Sequence, residues 1–288
     1  MEKNILSHYL LTLLASVERN LSSYLKDKEP ECLHHLRVDI KKINALFSFA
    51  EKVYQEQYDR SLLKPLFRQA GEIRATQINL QLLETVPNLP EQLITGLRNT
   101  ENIASQKFIG EGPLHLMNLK HFREETHLPE LLPSKKTIVK YFKKERKKAE
   151  HLLQHIDKEN LHPYRKKIKN IFYLYGALPT RIQDKIKIDT EGIDQQQQWV
   201  GDWHDTFSAI DFLSSEHFPI QESELLLNLK EKEKIQFNTL LKNLNINRQG
   251  RKRSALLIIS LCIPLIIFPL LLNFSGNFNF WGIKKSRI

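Results

Sequence analysis

The chain has 288 residues, and its 43 lysines and arginines outnumber its 33 aspartates and glutamates, which gives a formal net charge of +10. The 41% hydrophobic content excludes wholesale disorder, and the 26% of charged residues excludes a protein that lies entirely within a membrane. The two cysteines, Cys32 and Cys262, exclude a disulfide framework or a cysteine-based metal cluster and favour a reduced environment. The positive charge predicts an anionic partner without identifying it.

The spacing of apolar residues predicts an all-α fold up to about residue 250. Apolar residues trace one helix face through 10–25 and another through 33–50. Prolines mark most of the breaks between helices. Further predicted helices span roughly 60–84, 89–108, 134–158, 162–176, 193–214 and 222–245. The segment 109–133 is the longest irregular stretch of this prediction, and we interpret it as the junction between two halves.

A basic run occupies residues 135–148, which hold eight lysines and arginines and a single acidic residue. Ser134 stands where a helix N-cap is expected. At helical spacing the run forms a stripe of cations beside an apolar seam, and a stripe of this kind is most often a solvated helix face. Like charges at this density destabilise the helix unless an anion arrives. The lysines of the stripe considered for anion binding are Lys136, Lys140, Lys143 and Lys147.

Two short motifs recur in the same order along the chain. Residues 33–41 and 161–169 share Leu-His-x-x-Arg-x-x-x-Lys, displaced by 128 positions (162 − 34). Residues 71–74 and 201–204 both read glycine, acid, apolar, base, displaced by 130 positions (201 − 71). We interpret the recurrence as an internal duplication. It predicts a helical domain over 1–250, with halves at about 1–128 and 129–250.

The first repeated motif places a histidine, an arginine and a lysine on one helix face, because residues i, i+3 and i+7 lie within about 60° of one another. Arginine offers a planar fork of donors and lysine a mobile point charge, and together they suit phosphate oxygens. One such copy is more often an ordinary surface, whereas two copies in register favour binding of a run of phosphates. The predicted binding residues are His34, Arg37 and Lys41 with Lys42 beside them, and His162, Arg165 and Lys169 with Lys166 beside them.

These motifs, together with Gly-Asp-Trp-His-Asp at 201–205, resemble the CHAD family, the conserved-histidine α-helical domain. The resemblance covers about residues 1–250 and implies two four-helix bundles related by a pseudo-two-fold axis, with basic residues around a central cavity. It also implies binding of inorganic polyphosphate without catalysis, through the motif residues named above. Lys166 and the stripe at 136–147 join that site by proximity only. Arg74 is followed by Ala75 where relatives have aspartate, and Phe172 stands where an arginine is common.

Other functions find less support in the sequence. A nucleic-acid-binding helical protein would interleave aromatic residues with the cations for base stacking, and a structural scaffold with degenerate sites would bind no polyanion. No Glu-x-Glu-x-Lys motif of a triphosphate hydrolase occurs. His151 and His155 are spaced for a metal, but no third ligand is apparent. We therefore expect no catalytic residue, no metal site and no cofactor.

The C-terminal region carries a long uncharged segment, since no charged residue occurs from Ser254 to Gly282. Residues 254–274 are long and apolar enough to be predicted as a transmembrane helix, followed by a short tail at 275–288. The flanking basic residues place the helical domain on the cytoplasmic side by a narrow margin. Two prolines leave re-entrant insertion open, and packing on the bundle would make the protein cytoplasmic. No N-terminal signal peptide is predicted.

Overall fold

The computed structural model describes residues 5–84, 91–154, 156–214 and 224–256. These residues form ten α-helices and one short 3-10 turn, and among them no strand occurs, which confirms the predicted all-α class. The helices are α1 (Ile5–Asp27), α2 (Pro30–Tyr54), α3 (Lys64–Glu84), α4 (Glu91–Gly110), α5 (Gly112–Glu125), α6 (Lys135–Gln154), α7 (Lys158–Ala177), α8 (Thr180–Ile186), α9 (Thr190–Leu213) and α10 (Glu224–Leu256). The 3-10 turn, Ser61–Leu63, leads directly into α3.

The main hydrophobic core forms where the apolar faces of the first two helices meet those of α6 and α7. The predicted faces of α1 and α2 are buried, from Leu10 to Leu21 in α1 and from Leu33 to Ala50 in α2. The buried face of α7 runs from Leu161 to Leu174. Because each helix buries one stripe, its polar side chains are left for the surface or for clefts between helices.

A second, smaller hydrophobic cluster joins the end of α3 to the start of α4 and the end of α9 to the start of α10. Its buried members are all leucines. They are Leu80, Leu83, Leu93, Leu97, Leu213, Leu226 and Leu229.

The prediction that 109–133 is irregular is wrong for most of its length. Helix α4 continues to Gly110 and α5 begins at Gly112. Pro113 does not prevent this, because it lies in the first turn of α5, where the backbone N–H groups have no partner within the helix. A proline next to a glycine thus marks a helix start here.

Side-chain caps fix the starts of three helices. The predicted cap Ser134 accepts a hydrogen bond from the backbone N–H of Thr137 at 3.1 Å. Asp157 accepts one from the N–H of Asn160 at 2.7 Å, and Asp189 accepts one from the N–H of Gly192 at 2.8 Å. Helix α7 therefore begins at Lys158, four residues before the predicted start, and contains Pro163.

The chain divides into two compact units, Met1–Ile246 and Asn247–Ile288. The further division of the first unit into halves at about residue 128 stays a prediction, as does the tandem arrangement of two bundles. The predicted transmembrane segment 254–274 lies outside the described residues apart from its first three positions. Among the helices that are described, none combines the length and the apolar composition needed to cross a membrane.

Candidate anion-binding site

Arg37 of α2 lies across α3 at the position of Gly71. Its Nη1 donates a hydrogen bond to the backbone oxygen of Phe67 at 2.5 Å, and its guanidinium carbon lies 4.3 Å from the centre of the Phe67 ring. A Cβ at Gly71 would stand 2.9 Å from that carbon, closer than such atoms approach in proteins. Gly71 therefore makes the space in which the arginine lies.

Arg165 of α7 stands in the same relation to Gly201 of α9. A Cβ at Gly201 would lie 3.1 Å from the Arg165 Nη2. The Nε atom of Arg165 is buried and has no hydrogen-bond partner in the part of the chain that the structure describes. Each Leu-His-x-x-Arg motif thus contacts the glycine of the second motif that follows it.

His34 and His162 lie one turn before the motif arginines. Each lies beside a basic residue of the helix that packs on its own, which is α3 for His34 and α9 for His162. Burial and, next to it, the charge of Arg74 lower the pKa of His34, and Arg74 also pairs with Glu31 at 3.4 Å. The ring of His162 stacks on that of His204, with centroids 5.1 Å apart and planes inclined by 29°. Arg74 and His204 each follow the motif glycine by three positions, so the two contacts correspond.

Lys41 of α2 and Lys169 of α7 lie within electrostatic range of each other, because α2 packs against α7. Burial and the charges of Arg37, Lys169 and Arg165 lower the pKa of Lys41 to about 8. Burial and the charge of Arg165 lower the pKa of Lys169 to about 8, although Asp205 and Asp194 oppose the shift. Neither lysine forms an ion pair among the described residues. Four cations separated in sequence therefore converge without a bonded carboxylate.

Lys42, which was predicted to flank this cluster, is paired instead with its own helix. Its Nζ lies 2.9 Å from Oδ1 of Asp39, and that carboxylate is buried. Burial, with the Asp39 charge as a second cause, raises the pKa of Tyr9 to about 12. Lys166 is exposed, and its charge helps to lower the pKa of His162. Lys166 thus lies at the rim of the cluster, and Lys42 is neutralised beside it.

The lysines of α6 lie on the exposed side of that helix. Helix α6 buries Ile138, Phe142, Glu145 and Ala149, and the four lysines proposed for binding lie on the opposite, exposed side. The charges that lower the pKa values of Lys41 and Lys169 come from α2 and α7. The inclusion of Lys136, Lys140, Lys143 and Lys147 in the same site stays a prediction.

Glu145 is a buried residue of α6 that connects this helix to its neighbours. Its buried carboxylate accepts hydrogen bonds from Lys52 at 3.2 Å, Lys148 at 3.0 Å and Lys167 at 2.7 Å. These contacts lower its pKa to about 2 despite the opposing effect of burial. One carboxylate therefore holds α6 to both α2 and α7.

Two basic residues beside the cluster, Arg74 and His204, were not predicted from the sequence as binding residues. Both belong to the second repeated motif, whose base stands three positions after the glycine. On a helix, residues three positions apart share a face, so the base lies near the arginine that packs against the glycine. The repeated base is visible in the sequence, but its position beside the motif histidines depends on the packing of α3 on α2 and of α9 on α7.

A surface cavity of about 280 Å³ occurs elsewhere, between the end of α2 and the end of α5. Glu56, Asp59 and Glu125 line it, and none of the clustered cations does. Its acidic lining is unsuited to a polyanion. No group of three or more histidine, cysteine, aspartate or glutamate side chains is placed to hold a metal within the described ranges.

Fold and site together define a class of protein: an all-helical domain that gathers basic residues from two similar helices into one half-buried cluster. Residues 8–214 match the family model of the CHAD domain, so the chain belongs to the CHAD family. The fold is also similar to the crystal structure of the CHAD domain from the plant Ricinus communis. That likeness has a TM-score of 0.60 at 16% identity and covers 84% of this chain and 88% of the plant chain. No curated protein sequence matches the chain.

Proposed function

We propose that this protein binds inorganic polyphosphate in the cluster formed by Arg37, Lys41, Arg165 and Lys169, without catalysing its hydrolysis. The observation that carries the proposal is the environment of Lys41, whose pKa is lowered to about 8 by burial and by three cations from two helices. Half-buried cations that repel one another are costly unless an anion compensates them. Family membership supports the same ligand, since CHAD domains are linked to polyphosphate.

The chemistry of the cluster suits a chain of phosphates. Each arginine presents a fork of donors that matches two phosphate oxygens, while each lysine supplies a compact charge. The two arginines contact different helices, α3 and α9, and a linear polyanion offers phosphate groups to both. A linear polyanion that neutralises several cations also releases its own counterions, so affinity falls steeply as salt rises.

We assign the lysines of α6 a different part in binding. Lys136, Lys140, Lys143 and Lys147 are exposed, so solvent screens their charges. Exposed charges of one sign accelerate the approach of an oppositely charged partner more than they tighten the final complex. We therefore expect these lysines to raise the association rate, while the half-buried cluster sets the dissociation rate.

The decisive experiment compares two double variants that remove the same charge. Arg37→Ala with Arg165→Ala should weaken binding of long-chain polyphosphate far more than Lys140→Ala with Lys147→Ala. Loss of a charge-assisted contact to phosphate costs about 1.5–3 kcal/mol, which is roughly tenfold to a hundredfold in affinity per residue. Isothermal titration at fixed salt gives both affinities. Equal losses in the two variants would place the site elsewhere.

Two further measurements separate polyphosphate binding from other activities. Competition between polyphosphate and single-stranded RNA at equal phosphate concentration should favour polyphosphate, and preference for RNA would identify a nucleic-acid-binding protein. Incubation with polyphosphate and Mg²⁺ should release no more orthophosphate than the double arginine variant releases. We expect no hydrolysis because the sequence carries no Glu-x-Glu-x-Lys motif of a triphosphate hydrolase.

We also propose that residues 254–274 attach the protein to a membrane, with the helical domain on the cytoplasmic side. The support is the uncharged run and its basic flanks in the sequence. Extraction of membranes with carbonate should leave the full chain in the pellet, and replacing Ile266 and Ile267 with lysine should release it. Release of the unchanged chain would favour packing of the segment on the bundle.

A further inference from the structure

The two halves of the cluster differ in one position that controls its charge. In the first half His34 faces Arg74, whereas in the second half His162 stacks on His204 with centroids 5.1 Å apart. Arginine stays charged at every physiological pH, and histidine gains or loses its charge near neutrality. The first half therefore holds a permanent cation where the second half holds one that depends on protons.

Groups of both signs surround the histidine pair. From α7 it faces Arg165 and Lys166, and from α2 it faces Lys41. On its own helix, Nδ1 of His204 lies 3.8 Å from Oδ1 of Asp205 and 3.3 Å from Oγ of Ser208. Asp202, two positions before His204, accepts a hydrogen bond from Gln198 at 3.2 Å and lies within reach of the charge of Lys232 in α10. Cations outnumber the nearby carboxylates on the side of the pair that faces the cluster.

We propose that the binding of polyphosphate is coupled to proton uptake at His162, whose ring stacks on that of His204, so that the second half of the site binds phosphate more tightly as the pH falls below neutrality. This inference rests on the proposed function. The first half, which has Arg74 where the second half has His204, binds phosphate with little dependence on pH. The strength of phosphate binding thus stays constant with pH in one half of the site and varies with pH in the other.

The direction follows from the charges around the pair. Burial, His204, Lys166, Arg165 and Lys41 lower the pKa of the His162 imidazole, so in the free protein this ring is neutral at pH 7.5. A phosphate chain beside the pair reverses the sign of the local charge and favours the imidazolium form. Protons are then taken up on binding, and affinity rises as pH falls through the pKa of the bound state. A rise of one unit in that pKa corresponds to a tenfold increase in affinity at low pH.

The test is calorimetric titration with long-chain polyphosphate at pH 6.0 and 7.5, in two buffers of different ionisation enthalpy. The buffer dependence gives the number of protons taken up. The wild type should bind roughly threefold to tenfold more tightly at pH 6.0 and take up protons. The variant with His162→Gln and His204→Gln should lose most of both effects. Its control, with His8→Gln and His121→Gln at exposed positions, should keep them.

Exchanging the two corresponding residues sharpens the test. His204→Arg makes the second half resemble the first and should flatten the dependence of affinity on pH. Arg74→His makes the first half resemble the second and should steepen it. The part of the proton uptake that survives in the glutamine variant belongs to Lys41, Lys169 and His34.

The outcomes separate this inference from the proposed function. A wild type that binds equally at both pH values, without proton uptake, overturns the inference and leaves polyphosphate binding intact. A wild type that binds at neither pH overturns both. If the glutamine variant fails to fold, the pKa of His162 is measured instead by NMR in the wild type. An unchanged pKa on adding polyphosphate then counts against the inference.

Discussion

The guanidinium of Arg37 fills the space that a side chain at Gly71 would occupy. The same relation joins Arg165 to Gly201, so in both parts of the chain a glycine on one helix makes room for an arginine from another. Neither glycine has the positive φ that would require glycine for its backbone. Glycine matters at these positions because it lets an arginine approach the helix backbone closely.

Gly71→Ala should therefore change binding more than stability. The methyl group displaces the end of a flexible arginine, which can move, while alanine favours the helix by about 1 kcal/mol. We expect a thermal midpoint close to that of the wild type and a roughly tenfold loss of affinity for polyphosphate. Gly96→Ala is the matched control, because nothing lies within 4 Å of its added Cβ. It should raise the midpoint and leave affinity unchanged.

Lys41→Met should stabilise the protein without ligand and weaken its binding of polyphosphate. The substitution removes a half-buried charge that repels Arg37, Lys169 and Arg165. Replacing such a charge with an apolar side chain of similar length gains roughly 1 kcal/mol in the free energy of unfolding. The next residue is the control, since Lys42→Met leaves the buried Asp39 without its partner and should destabilise the fold. Denaturant titration gives both free energies, and a destabilised Lys41→Met would contradict the account of the cluster.

The stability of the ligand-free protein should rise between pH 8 and 9.5. The pKa values of Lys41 and Lys169 are about 8 in the folded protein, and an unfolded lysine has a pKa of about 10.4. Between these values the unfolded chain binds more protons, so the free energy of unfolding increases with pH. Above pH 10 the trend should reverse, because Tyr9, with a pKa of about 12, stays protonated only when folded. Thermal midpoints measured with saturating polyphosphate should not show the rise.

Glu145→Gln should destabilise the protein strongly. The substitution leaves Lys52, Lys148 and Lys167 without their shared carboxylate. Removing one partner of a buried ion pair costs 3–5 kcal/mol, and the partial exposure of these lysines reduces this to about 2–3 kcal/mol. The pKa of Glu145 is lowered to about 2, so its contribution is present above the ordinary glutamate pKa and is lost as pH falls towards 2. Acid unfolding of the wild type and the variant should converge at the lowest pH.

Much of the fold and part of the site follow from local patterns. The apolar faces of α1 and α2 and the cap at Ser134 need only residues within a few turns, and all were predicted. Helix α5 was missed because the segment 109–133 was predicted to be irregular, whereas the position of Pro113 in the first turn makes it compatible with a helix.

The membership of the cluster depends on packing between distant segments. Arg74 and His204 join it only because α3 packs on α2 and α9 packs on α7. Lys42 is neutralised by Asp39, three positions before it on the same helix, although spacing alone placed it beside the binding residues. A helical repeat in sequence identifies which side chains share a face, but it does not identify the carboxylates that neutralise them.

The electrostatic repulsion between Lys41 and Lys169 has a consequence for how the chain folds. These residues are 128 positions apart, so they meet only after both motif helices have formed and docked. Interactions between residues so far apart in sequence form late in folding. Here the repulsion between the two lysines opposes their formation. A polyanion present during folding would remove that repulsion and accelerate the final docking of α2 against α7. Polyphosphate, if it binds as proposed, would then assist the last step of folding as well as occupy the folded protein.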